Sequence, residues 1–380
     1  MSLAQARKRP ERRLDVGNRL GALRGQPAFC YFPEKMETER ETSYRHLKKR
    51  IGGFLQGQRE ESLEELLRAA FVFQFTWNRP YQNFCRARGV PDPAAIHQLA
   101  EIPAVPTEAF KLPDFPLRCF PEKACPIVFR TSGTTQEERG QHWFPDTELY
   151  ALSIRQGWET LVGLDLPVAC LCPAPSQAAD SSLSHMMGQL AAADAFFLDP
   201  ERGFDRAGLV EASQGPLLLM STAIGFLRFC QEEGRLPLPP GSVLLETGGY
   251  KGLRETLSKE ALYQRLSDHF EVSSDDILNE YSMTELSSQF YSRGLGRVHF
   301  GPAWVRAEVI DPATGQAVAA GEGGLLRIFD LANLASVSAI QTQDLAIRGE
   351  REDEFFLIGR DPQALPRGCS RGADALWARP

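Results

Sequence analysis

Between residues 126 and 293 short apolar runs alternate with amphipathic stretches, and this alternation constrains the fold more than any other feature of the chain. Pro126 to Phe129, Val168 to Cys172, Ala195 to Leu198, Leu217 to Met220, Val243 to Glu246 and Ile277 to Tyr281 read as strands. Helices are expected near 146–161, 181–193, 204–212, 222–233 and 253–270, and in the last of these Leu257, Ala261, Leu262, Leu266 and Phe270 mark one face. Strands without a polar face belong in a sheet covered on both sides, and strands separated by helices pair in parallel. The expected class is therefore α/β, with layered parallel sheets and helices.

The flanks have a different pattern. Residues 26 to 111 read as mainly helical, with Ser62 placed to cap a helix carrying Leu63, Leu66, Leu67, Ala70 and Phe71 at helical spacing. The aromatic run from Phe71 to Trp77 is expected in the core. Two prolines in Ile102 to Lys111 forbid helix and imply an extended connector. After residue 294, Trp304 to Ile310, Gly324 to Phe329 and Phe355 to Ile358 read as strands of a small antiparallel or barrel-like subdomain, separated by turns at 311–315 and 321–324.

Charge and cysteine usage exclude several function classes. A net charge of −7 argues against a general nucleic-acid binder. No apolar run approaches the roughly 20 residues that span a bilayer, so no membrane insertion is expected. The basic first 25 residues, with Arg7, Lys8, Arg9, Arg12, Arg13, Arg19 and Arg24, lack the apolar centre of a secretory signal and read as a flexible arm. Eight scattered cysteines suit reduced thiols in a cytoplasm. Cys170-Leu171-Cys172 sits in an apolar strand and is expected in the core, and without C-x-x-C pairs no structural zinc site is expected.

Five segments could carry chemistry. Thr131-Ser132-Gly133-Thr134-Thr135 follows a strand and offers hydroxyls and unhindered backbone N–H groups, which suit a phosphate cradle and equally a solvated turn. It is not the G-x-x-x-x-G-K-[ST] loop, since no lysine follows the second glycine. Glu246-Thr247-Gly248-Gly249-Tyr250-Lys251-Gly252 ends a strand at the edge where α/β sheets bind ligands. Asn279-Glu280-Tyr281-Ser282-Met283-Thr284-Glu285 offers a carboxylate for a hard cation, but Ser282 to Glu285 is also the pattern that opens a capped helix. Gln341-Thr342-Gln343-Asp344 and Ile358-Gly359-Arg360-Asp361 complete the set. His185 reads either as a core histidine or as a ligand of the site, and no G-x-S-x-G elbow of a hydrolase occurs.

Taken in order, these segments resemble the adenylate-forming superfamily of acyl-CoA ligases, firefly luciferase and peptide synthetase adenylation domains. Thr131, Ser132, Gly133, Thr134 and Thr135 are similar to its phosphate loop, although Gln136-Glu137-Glu138 stands where the family continues with glycine and a basic residue. The resemblance implies that Gly248, Gly249 and Tyr250 wall an adenine pocket and that Tyr281 packs on the base. It further implies that Thr284 touches the α-phosphate, Glu285 ligates Mg²⁺, Asp344 binds the ribose, Arg360 lies near ribose or α-phosphate, and His185 lies near the acyl carboxylate. Ordinary members carry a further small domain with a catalytic lysine after the hinge, whereas 20 residues follow Arg360 here and no lysine follows Lys259.

That ending, with the segment Ile102 to Lys111, resembles the acyl-protein synthetases of bacterial bioluminescence (LuxE-type), whose members carry an acyl-accepting cysteine near the C-terminus; Cys369 is the matching residue. The expected organisation is a basic arm (1–25), an adenylate-forming domain (26–358; helical to about 111, α/β core 112–293, β subdomain 294–358), and a hinge and tail (359–380) in place of the usual second domain. The implied activity is ATP- and Mg²⁺-dependent activation of a fatty or related carboxylic acid, thioester formation on Cys369, and delivery to an acyl reductase or another acceptor protein. A CoA ligase resembling phenylacetate-CoA ligase, or a nucleotide-binding protein that has lost catalysis, are the alternatives.

Overall fold

The computed structural model describes residues 33–131, 139–248 and 257–360. The chain divides into two units, Met1–Glu41 and Thr42–Pro380. Of the first, the described part is the opening of helix α1 (Pro33–Leu55), where Arg40 lies 3.7 Å from Glu37.

In the second unit, the remainder of α1 is followed by α2 (Leu63–Trp77) and α3 (Arg79–Ala87). Ser62 caps α2 as expected: its hydroxyl accepts from Glu65 N at 3.2 Å and the Glu65 carboxylate accepts from Ser62 N at 2.8 Å. Such a reciprocal cap is worth about 1 kcal/mol to the helix. The segment after residue 102 is extended only through β1 (Val105–Pro106), after which Thr107–Lys111 forms a 3₁₀ helix. The extended reading fails there because Pro106 precedes the turn, where its missing N–H and fixed φ cost the turn nothing.

A hairpin of β2 (Ile127–Arg130) and β3 (Gln141–Phe144) comes next, then α4 (Glu148–Leu161), β4 (Val168–Cys170), α5 (Ser182–Leu190), the short pair β5 (Leu198–Asp199) and β6 (Gly203–Phe204), and α6 (Arg206–Ala212). From there the chain runs β7 (Leu218–Thr222), α7 (Ala223–Glu232), β8 (Val243–Thr247), α8 (Lys259–Phe270), β9 (Ile277–Tyr281) and β10 (Phe290–Arg293). Strands β4, β7, β8 and β9 pair in parallel, and β10 closes the edge antiparallel to β9. Every residue of β7, β8 and β9 is buried, as their apolar runs require. One face of this sheet packs on α6, α7 and α8 through Leu209, Phe226, Phe229, Leu262 and Leu266; the other packs on α4 and α5 through Tyr150, Ile154, Met186 and Met187.

The second large sheet comprises β11 (Val305–Ile310), β12 (Gly323–Asp330), β13 (Ala339–Arg348) and β14 (Phe355–Arg360), antiparallel throughout, with β1 added in parallel to β13. Its buried face and the N-terminal helices share one core, including Phe71, Tyr81, Ile328, Phe329 and Ile340. Strand β13, the longest in this sheet, has no counterpart among the strands read from sequence. Its register partners include Arg360 opposite Asp344, followed by a register shift at Leu345/Ala346. Among the described residues no helix is long and apolar enough to cross a membrane. Cys170 and Cys172 are buried, as expected.

Candidate functional site

The carboxyl ends of β8 and β9 face the second sheet. Tyr281, the last residue of β9, donates its hydroxyl to Asp344 Oδ2 of β13 at 2.6 Å, and both side chains are buried. Asp344 is held in turn: its N–H donates to Thr342 Oγ1 at 3.0 Å, and that hydroxyl donates to Leu326 O at 2.7 Å. Two sequence-predicted residues 63 positions apart are thus brought into direct contact across two sheets.

Thr284 and Glu285 lie in the turn that follows β9, where both are buried. No helix starts at Ser282, so the capped-helix reading of that segment is excluded. The turn is pinned from three directions. His142 of β3 donates from Nδ1 to Thr284 O at 2.8 Å. Thr284 Oγ1 lies 3.3 Å from Ser182 Oγ at the start of α5. Asn333, after β12, donates to Glu285 O at 2.6 Å. Burial drops the His142 pKa to about 4, which keeps the ring neutral and its single N–H committed to the carbonyl.

Immediately beyond, Asp330 accepts from Ser287 N at 2.7 Å, Ser288 Oγ at 2.7 Å and Ala332 N at 3.0 Å, and Ser288 in turn meets Ser153 and Trp304. Gln74 of α2 donates to Asn333 O and Ser338 Oγ and accepts from Ser338 N. The turn therefore has little freedom to move, as a group aimed at a substrate requires.

His185 sits on α5, with its ring 5.1 Å from Phe129 and 5.2 Å from Tyr150. Its Nε2 is buried without a hydrogen bond, and burial lowers its pKa. The packed ring is what the core reading of this residue expects.

Thr131 closes the neck of the β2–β3 hairpin. Its hydroxyl accepts from Gly140 N at 2.7 Å and its N–H donates to Gly140 O at 2.9 Å. Arg139 spans the same neck, with Nε on Thr131 O at 2.7 Å and a salt bridge to Asp180 at 3.0 Å. Ser132, Gly133, Thr134 and Thr135 lie outside the described residues, as do Gly249, Tyr250 and Cys369. Gly248 directly follows β8 at φ 74, a left-handed conformation that a side chain would strain. Arg360 ends β14 opposite Asp344.

Sequence reasoning missed the polar residues that flank these positions. Glu246 of β8 is fully buried, ion-paired with Lys259, and accepts from Tyr263 at 3.2 Å and Asn279 at 2.8 Å. Asn279 Oδ1 takes a 2.6 Å hydrogen bond from His299 Nε2. Glu280 accepts from Thr247, and burial raises its pKa to about 7. The available signal was polar residues at the ends of otherwise apolar strands, where a polar side chain is costly unless satisfied or used. Among the described residues no group of three or more His, Cys, Asp or Glu gathers to hold a metal.

The sequence pattern of the family described as "Acyl-protein synthetase, LuxE" matches residues 231–374. Over 82% of its length the chain is similar to the long-chain-fatty-acid–luciferin-component ligase of Aliivibrio fischeri, at 23% identity and covering 88% of that protein. In fold it is similar to a 2-hydroxyisobutyryl-CoA ligase solved in an open conformation (TM-score 0.57, 17% identity, 79% of this chain and 74% of that one). The same ligase solved in its postadenylation state gives TM-score 0.57 at 15% identity, over 83% and 72% of the two chains. The chain is accordingly similar in sequence to the LuxE acyl-protein synthetases and similar in fold to a 2-hydroxyisobutyryl-CoA ligase.

Proposed function

We propose that the chain activates a long-chain fatty acid with ATP and passes the acyl group to its own Cys369. A carboxylate oxygen attacks the α-phosphorus and pyrophosphate leaves, giving an acyl-adenylate. The Cys369 thiolate then attacks the acyl carbon and AMP leaves, giving a thioester for an acyl reductase or another acceptor protein. The observation that carries this reading is the convergence of Tyr281, Asp344 and the pinned Thr284–Glu285 turn on one sheet edge.

In this reading Tyr281 and Gly248, with Gly249 and Tyr250, flank the adenine, Asp344 takes the ribose hydroxyls, and Thr284 meets the α-phosphate. The loop from Thr131 to Thr135 receives the outer phosphates, Arg360 approaches ribose or α-phosphate, and His185 lies by the acyl carboxylate. Glu285 suits Mg²⁺, because that ion needs only one or two protein carboxylates when phosphate oxygens and water complete its shell. Bound there, it would neutralise charge on the polyphosphate. Residues 26–358 form the adenylate-forming domain and 359–380 the hinge and acceptor tail, and the enzyme works in the cytoplasm.

The test separates the two half-reactions. Cys369→Ser keeps acid-dependent ATP–pyrophosphate exchange but loses a hydroxylamine-labile acyl mass on the C-terminal peptide that the wild type acquires. Persistence of the labile mass in Cys369→Ser would place the nucleophile elsewhere. Acid-dependent consumption of CoA by the wild type, without any acyl-protein, would make it a CoA ligase.

A further inference from the structure

The two faces of β9 divide the site. Asn279 and Tyr281 point to one side, where they meet His299 and Asp344. Glu280 must point to the other, since successive strand residues alternate. On β10, Tyr291 pairs with Glu280 and shares that second face, and Gln289 is the residue directly before that strand. This is the face covered by α4 and α5, on which Tyr291 packs against Trp158 and His185 against Tyr150.

What is unusual there is the unused hydrogen-bonding capacity. Gln289 is 2% exposed, and neither its amide nitrogen nor its amide oxygen has a partner. The Tyr291 hydroxyl, 2% exposed as a residue, has none. Glu280 is 1% exposed; its Oε1 has none, although Thr247 and Ser282 both hydrogen-bond the carboxylate. His185 Nε2 has none either. Glu280 and Tyr291 are cross-strand partners in the β9–β10 register, so their open atoms lie side by side. Buried polar atoms in native proteins are satisfied almost without exception, and a group of them left open at the edge of a site is there for a ligand.

The nucleotide is assigned to the opposite face, through Tyr281 and Asp344, so the ligand of this patch is the acid. An unsubstituted alkyl chain would leave every one of these atoms unpaired. We infer that the acid activated by this chain carries a neutral hydrogen-bonding group, a hydroxyl, close to its carboxylate, recognised by Glu280, Gln289 and Tyr291. This rests on the acyl-activating reading above and narrows its substrate class. Glu280 and Gln289 can each accept from such a hydroxyl, while Tyr291 and the Gln289 amide can donate to it.

The experiment is acid-dependent pyrophosphate exchange by the full chain with a matched set of straight-chain acids: unsubstituted, hydroxylated near the carboxylate, and aminated at the same carbon. The wild type is expected to favour the hydroxylated acid over the unsubstituted one by at least about tenfold in kcat/KM, because a site built around a hydroxyl discriminates strongly against its absence. Tyr291→Phe removes one oxygen without changing shape, and Glu280→Leu removes the acceptor; both should erode that ratio while the unsubstituted acid is still turned over. Equal or better use of the unsubstituted acid by the wild type would overturn the inference and leave acyl activation standing. So would a ratio unchanged in Tyr291→Phe and Glu280→Leu, or preference for the aminated acid. Exchange with no acid at all would overturn the parent reading and this one with it.

Discussion

Asp344 and Tyr281 show how one hydrogen bond organises the site. The carboxylate has two oxygens; Tyr281 uses Oδ2, and a vicinal diol would make charge-assisted bonds to the same group. Asp344→Ala should therefore weaken ATP binding by roughly 1.5–3 kcal/mol, read by calorimetry, while Tyr281→Phe, which keeps the carboxylate and the ring, should weaken it less. Unchanged ATP affinity in Asp344→Ala would remove this residue from the nucleotide site. Tyr281 and Asp344 were both legible from sequence because each sits in a short pattern. His142, Asn333 and Gln74, which hold the turn between them, were not. Their decisive bonds go to groups 142, 48 and 264 residues away, and nothing in the local sequence marks them.

At the scale of elements, legibility followed burial. Strands β7, β8 and β9 were readable within about two residues because each opens on an apolar run, as a strand buried on both faces tends to. Strand β13, Ala-Ile-Gln-Thr-Gln-Asp-Leu-Ala-Ile-Arg, was unreadable for the converse reason. Gln341, Gln343 and Asp344 interrupt the apolar run where it passes the site. The face-splitting of β9 likewise depends on its register with β10, which no sequence pattern discloses.

The turn between β9 and β10 is tied to β12 through Asp330, a carboxyl buried completely enough that desolvation raises its pKa from 3.8 to about 6 despite the bonds it accepts. An acid whose pKa is raised on folding contributes stability in full below its unfolded value, and that contribution is lost as pH climbs through the folded value. Wild-type stability should thus fall between about pH 4 and pH 6 by up to roughly 3 kcal/mol from this group. Asp330→Asn, though less stable overall through a lost acceptor, should lack that portion of the slope. Parallel pH profiles of denaturant midpoints for the two proteins would refute the assignment.

At the scale of the whole molecule, a doubly covered parallel sheet and an antiparallel sheet meet at a hydrogen-bonded turn, a tyrosine–aspartate bond and the His299–Phe355 bridge. The architecture was legible because alternation of apolar runs and amphipathic helices admits few other solutions. The residues grouped at the junction stand out in the sequence because they sit in short motifs that occur in order. The patch assigned above to the acid was not legible, since its residues count as ordinary polar interruptions until their lack of partners is seen. The central claim is that this junction makes an acyl-adenylate. Acid-dependent exchange of labelled pyrophosphate into ATP, measured with Mg²⁺ on the wild type and on Glu285→Gln, tests it most directly. The account predicts exchange that requires a carboxylic acid and falls by about two orders of magnitude in Glu285→Gln while circular dichroism stays unchanged. Exchange with no acid, or exchange undiminished in Glu285→Gln, would contradict it.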